Sequence, residues 1–159
     1  MLIGFGVTLT ALAIQGAAAT VGVESIGVLI TKRWLGIRLW RNGVATIVLI
    51  VILLLGHFGQ MALWALAFMA AGEFETFAVA FYHSAVNYTT LGYGDIVMSE
   101  AWRLLGPQEA LSGTLAFGWS TAAIVTIVIR LFRFRHLALL REETRGRSQE
   151  TREPTPARQ

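Results

Sequence analysis

The chain has 159 residues, 55% hydrophobic and 14% charged, with a formal net charge of +3 and no cysteine. Soluble domains carry roughly 25% charged residues, so an ordinary globular domain is a poor fit, and the lack of thiols excludes a disulfide framework or a thiolate metal site. No metal-ligand cluster or nucleophile–base pair stands out, so no enzyme and no cofactor is expected.

Residues 1–31 hold one charged side chain, Glu24. A bilayer span needs about 20 mostly apolar residues, so this segment is an N-terminal transmembrane helix. A cleaved signal peptide would start with basic residues, and no Lys or Arg precedes Lys32. Repeated arginines are also absent, which excludes a voltage sensor. Residues 32–43 form a basic loop with Lys32, Arg33, Arg38 and Arg41. A second span covers 44–72, which has no charged residue. Gln15, Glu24, His57 and Gln60 are polar groups at membrane depth and therefore functional candidates. For Glu24 an interfacial ion pair with a nearby base is the plainer reading.

Residues 73–109 reverse the sign of the charge, with Glu73, Glu75, Asp95, Glu100 and Glu109 against Arg103. Phe74, Phe77, Phe81, Ala85 and Tyr88 recur at helical spacing over 74–88. About 15 residues are too few to span, so this helix re-enters the membrane and leads into the run TTLGYGD at 89–95. Glu73, Glu75 and Glu100 would form an acidic rim that concentrates cations, or a plain solvated edge. A third span covers 110–136, with Gly106-Pro107-Gln108-Glu109 as its helix start. The tail 137–159 is polar and mixed in charge, and is expected to be disordered. Lys/Arg-rich loops stay on the cytoplasmic side. The protein is thus expected to be multi-pass in a cell membrane, a prokaryotic inner membrane by its affinities below, with the N-terminus outside and the C-terminus in the cytoplasm. Arg130, Arg133 and Arg135 sit at the membrane exit, where they snorkel or meet anionic lipid headgroups.

Irregular backbone at membrane depth is tolerated only where it is buried in protein or lines a watery path. In TTLGYGD the glycines permit positive φ and so can aim successive carbonyls one way. Backbone carbonyls in rings can replace the hydration shell of a monovalent cation. The run resembles the filter of potassium channels, and its context (span, short helix, filter, span) resembles the two-helix pore module of small prokaryotic members over about 44–130.

The resemblance implies an all-α membrane fold: three transmembrane helices, a re-entrant pore helix and an extended filter, assembled as a homotetramer. It implies K+ sites at Thr90, Leu91, Gly92, Tyr93 and Gly94, with carbonyls of the first four as ligands and the Thr90 hydroxyl innermost. Filter support would fall to Thr89, Asp95, Tyr82, His83, Val86 and Asn87. Leu91 stands where valine or isoleucine is usual, Tyr82 and His83 where two tryptophans often stand, and Val86 where a glutamate often pairs with the filter aspartate. Asp95 therefore needs another partner, and His83 and Asn87 are within reach. His83 is either proton-sensitive near the filter or a neutral ring satisfied by Tyr93 or Asp95. On the inner helix, Gly113 and Gly118 are hinge or close-packing positions, while Phe117, Thr121 and Val125 share a face toward a cavity or gate. The implied function is passive, K+-selective conduction. A weakly selective cation channel of the same fold is the alternative, and a non-conducting membrane scaffold a more distant one.

Overall fold

The computed structural model describes residues 2–31 and 39–150. Four helices follow in order: α1 (Leu2–Thr31), α2 (Leu39–Ala70), α3 (Phe77–Tyr88) and α4 (Leu105–Glu150). Among the described residues there is no strand. Stretches of α1, α2 and α4 (Ile3–Leu29, Trp40–Ala70 and Leu105–Arg141) are long and apolar enough to cross a membrane. Their outward faces carry exposed Phe5, Leu9, Ile47, Leu55, Leu66, Leu111 and Ile129, the apolar surface that lipid requires. The protein is an all-α membrane protein with three transmembrane helices.

α3 is different. Its 12 residues extend about 18 Å, short of the hydrocarbon thickness. It packs against both α2 and α4. The sequence places a helix over 74–88, but the helix starts at Phe77 because of how α2 ends. Gly72 takes φ +79. Its N–H donates to the Met69 carbonyl (3.0 Å), and the Glu73 N–H donates to the Phe68 carbonyl (3.1 Å). This Schellman turn satisfies the last carbonyls of α2 and reverses the chain. Thr76 stays extended at the N-cap. Phe74 is therefore outside α3, with its ring against Phe68 and His83.

Two buried clusters hold the helices together. One joins α1, α2 and α4 through Ala19, Ile26, Ala45, Leu49, Leu53, Ala123, Ile127 and Leu131. The other gathers Met61, Trp64, Phe68, Tyr88, Leu105 and Ala116 around α3. α1 contributes mostly small residues to its contacts: Gly16 makes room for the Trp119 indole and Gly22 for Leu49, as suits helices that associate by close approach rather than by hydrophobic exclusion.

Three boundaries differ from the sequence reading. α2 begins at Leu39, so the end of the basic loop is already helical. Lys32, Arg33 and Arg38 lie outside the described residues, and with them any partner they offer the exposed Glu24. α4 begins at Leu105 and continues through Glu150. The stretch 137–150, expected to be an irregular tail, is thus helical; its Leu, Arg, Glu and Ala are good helix formers even without an apolar face to bury. Residues 151–159 lie outside the described residues.

Candidate functional site

The C-terminal end of α3 leads directly into 89–95, and its last carbonyls anchor the run. Thr89 N–H donates to the Ala85 carbonyl (3.2 Å), Thr90 N–H to Asn87 (2.9 Å), and Leu91 N–H and Gly92 N–H both to Val86 (2.9 and 3.3 Å). Four successive N–H groups are turned toward the helix. Along the run φ is positive at Thr90 (60), Gly92 (62) and Gly94 (73), while Leu91 and Tyr93 between them keep negative φ. Alternation of sign at every second residue is the backbone pattern that allows successive carbonyls to share one side, which a strand of uniform φ does not allow. The glycines take the left-handed region freely. Thr90 does not: a β-branched residue there costs about 1–2 kcal/mol, and the flanking bonds to Asn87 and Val86 hold it in place. Strain of this kind concentrates at functional sites. All of 89–95 is exposed on the single chain.

The supporting side chains are arranged differently from the expectation. Asp95 is bonded by Tyr82, whose hydroxyl donates to Oδ2 at 2.7 Å, rather than by His83 or Asn87. That bond holds the Asp95 carboxyl below the usual carboxylate range and raises the Tyr82 hydroxyl in turn. His83 is buried. Its Nδ1 faces the Ile96 carbonyl at 3.1 Å and its Nε2 faces the Asn87 amide nitrogen at 2.8 Å. A neutral ring with the proton on Nδ1 satisfies both, so the partners are Ile96 and Asn87 instead of Tyr93 or Asp95. Burial pushes the His83 imidazole below its ordinary value, against weaker opposing pulls from the Ile96 carbonyl, Asp95 and Glu73. Val86 is buried and contributes through its carbonyl. Leu91 is 53% exposed. A cavity of about 420 Å³ behind the run is lined by His83, Asn87, Gly92, Gly94 and, from the returning loop, Glu100 and Arg103.

Acidic residues near the run have separate fates. Glu73 accepts both the Ser99 N–H (2.7 Å) and the Ser99 hydroxyl (2.6 Å), tying the start of the 73–104 segment to its return limb. Glu100 is exposed and lies 4.0 Å from Arg103. Glu109 was grouped with these by sequence, but it is fully buried. Its Oε1 accepts the Ser84 hydroxyl from α3 at 2.5 Å, near the Ser112 hydroxyl that accepts from the Trp64 indole. An acid in the first turns of a helix reads alike whether it faces water or protein, so its place at the helix start did not reveal that Glu109 is buried.

Gly113 and Gly118 also separate. A methyl on Gly113 would collide with the Tyr88 carbonyl, whereas one on Gly118 meets nothing within 4 Å. Gly113 is a close-approach position between α4 and the root of the run. Phe117, Thr121 and Val125 all lie exposed on the single chain; the Phe117 ring touches His57 and Tyr88 at centroid distances of 4.7 and 5.5 Å. Arg130 and Arg133 are exposed, and Arg135 borders a groove of about 200 Å³ with Asn42, Thr46 and Phe132. Gln15, His57 and Gln60, singled out as polar groups in the spans, meet one another and two residues that sequence did not flag for this, Tyr88 and Ser120.

What the run can do chemically follows from its backbone: an exposed stretch that alternates in the sign of φ, beside the carbonyl end of a short helix whose dipole favours cations. No solved structure matches the chain. The family model described as an ion channel matches residues 47–130, which takes in α2, α3, the run and α4 to the end of its apolar core, a little over half of the chain. The protein therefore belongs to the ion channel family of the two-transmembrane-helix type, with α1 lying outside the matched module.

Proposed function

We propose that the protein is a potassium channel in which four identical chains place their 89–95 runs around one axis. The observation that supports this reading is the alternation of φ along TTLGYGD, because such a backbone can present the carbonyls of Thr90, Leu91, Gly92 and Tyr93 to an ion without side-chain ligands. One strand cannot surround an ion, so a ring built by cyclic symmetry is required. Exposure of the run and of Phe117, Thr121 and Val125 on a single chain supports an assembly that covers them. The Thr90 hydroxyl would complete the innermost site. Flow is passive, down the electrochemical gradient, as in any ion channel. The termini lie outside (N) and in the cytoplasm (C), by the distribution of basic residues, and Arg130, Arg133 and Arg135 meet anionic lipid.

One observation favours a second reading, a weakly selective cation channel. Tyr82, His83, Val86 and Leu91 replace the residues that usually brace such a filter, and Asp95 is held by the exposed Tyr82 bond alone among the described side chains. Purified protein in a planar bilayer with K+ and Na+ on opposite sides separates the two. The reversal potential is expected near the K+ equilibrium value; a potential indifferent to the K+/Na+ gradient establishes weak selectivity instead. Gly92→Ala, which forces a side chain to adopt φ +62, is expected to abolish the current.

A further inference from the structure

Five polar side chains from all four helices close a ring of hydrogen bonds in the interior, and α1 supplies one of them. Gln15 on α1 is fully buried. Its Nε2 donates to the Ser120 hydroxyl of α4 at 2.6 Å, and its Oε1 accepts from Gln60 Nε2 of α2, also at 2.6 Å. The Gln60 Oε1 accepts the Tyr88 hydroxyl of α3 at 3.1 Å. His57 bridges the far side, with Nδ1 at 2.8 Å from that hydroxyl and Nε2 at 3.0 Å from Ser120 Oγ. Space for Gln15 depends on Gly56, where a Cβ would stand 2.7 Å from the glutamine oxygen.

The ring ends on the residue that roots the filter. Tyr88 is the last residue of α3 and immediately precedes Thr89 and Thr90. It is held at two points, its carbonyl against Gly113 and its hydroxyl in the ring. Inside a bilayer there is no water to take over a broken bond, so donors and acceptors joined in a closed circuit fix the register of the elements that carry them. Resting on the potassium-channel reading above, we propose that Gln15 is a positioning residue for the filter: through Gln60 and Tyr88 it sets where the 89–95 run begins, and through Ser120 it links that setting to α4. The extra helix is then a working part of the pore, although it lies outside the ion channel module.

The test uses full-length protein in liposomes and planar bilayers, comparing wild type, Gln15→Leu, Tyr88→Phe and the double variant. Single-channel open probability at fixed voltage and melting temperature in detergent are read side by side. Leaving buried partners unsatisfied is expected to lower open probability in Gln15→Leu about tenfold, and the double variant should be no lower than Tyr88→Phe alone, because both substitutions break one circuit. Ser120→Ala removes a single oxygen, and should shift open probability in the same direction even if Gln15→Leu fails to fold. Thr20→Val, on an exposed position of α1, is expected to match wild type. A Gln15→Leu protein that melts lower yet opens as wild type, or losses that multiply in the double variant, would overturn the proposal and leave α1 a structural anchor. A wild type that passes no K+ overturns the potassium-channel reading and this proposal together, whereas a conducting wild type equalled by Gln15→Leu and Ser120→Ala overturns this proposal alone.

Discussion

α1, α2 and α4 meet along two adjoining seams of opposite chemistry. Toward the tail end the contact is dry, built from Ala19, Leu49, Leu53, Ala123 and Ile127. One or two turns nearer the 89–95 run, Gln15, His57, Gln60 and Ser120 replace them at successive contact positions. The dry seam gains from close packing, but in a membrane it gains little else, since lipid tails are as apolar as the side chains themselves. It therefore resists separation of the helices more than it resists sliding. The polar seam has a directional requirement at every group, and a shift by one turn would break most of its bonds. Adhesion and alignment are thus divided between two short stretches of the same helices.

Substitutions can test that division. The largest effect is expected at Gly113, where the polar seam meets the root of the 89–95 run: Gly113→Ala should destabilise by about 2–3 kcal/mol through overpacking against the Tyr88 carbonyl, read as a loss of melting temperature and current. Gly118→Ala, with nothing within 4 Å of the added methyl, should instead leave stability unchanged or improve it by up to about 1 kcal/mol from helix propensity. Next comes the dry seam. Ile127→Ala should cost about 2 kcal/mol in a denaturation series while reversal potential and open probability hold. Gln60→Leu should show the reverse, about 1 kcal/mol in stability with a larger change in conduction. If the two variants affect stability and conduction in equal proportion, the division fails.

The smallest expected effect lies at His83, beside the 89–95 run but outside both seams. Its folded pKa is lowered from 6.5, so the unfolded chain takes up a proton first as pH falls. Stability is full above about pH 6.5 and declines as pH drops toward the lowered value. Melting at pH 7.5 and 5.5 should differ in wild type, and the difference should shrink in His83→Phe. Open probability should respond to outer pH alike in both, because a neutral, satisfied ring is no proton switch.

The spans, the short helix α3 and the irregular run after it were legible in the sequence because each rests on a local signal: a charge-free length, a segment too short to cross, glycines at alternate positions. Gln15, His57 and Gln60 were also visible, as polar groups where polar groups are costly. Their pairing was not, since it joins residues 42 and 105 positions apart, and Tyr88 read only as one more aromatic on the apolar face of α3. With Val86 where a glutamate is usual, the sequence offers His83 and Asn87 as candidate partners for Asp95. It bonds Tyr82 because the longer side chain reaches past the turn, while His83 faces inward to Ile96. The helical stretch 137–150 was missed because composition alone predicts disorder for a segment with no core to join.

The Glu73–Ser99 clamp has a practical consequence. One carboxylate takes two donors from the same serine, so the segment from 73 to 99 is closed off before the chain reaches 100–104. Glu100, Ala101, Arg103 and Leu104 are exposed and outside that closure. A fluorophore attached through Ala101→Cys, in a chain with no other cysteine, sits beyond the knot. It would report which face of the membrane carries this loop in intact cells, and it leaves in place the turn in which the Trp102 and Arg103 N–H groups donate to the Ser99 carbonyl.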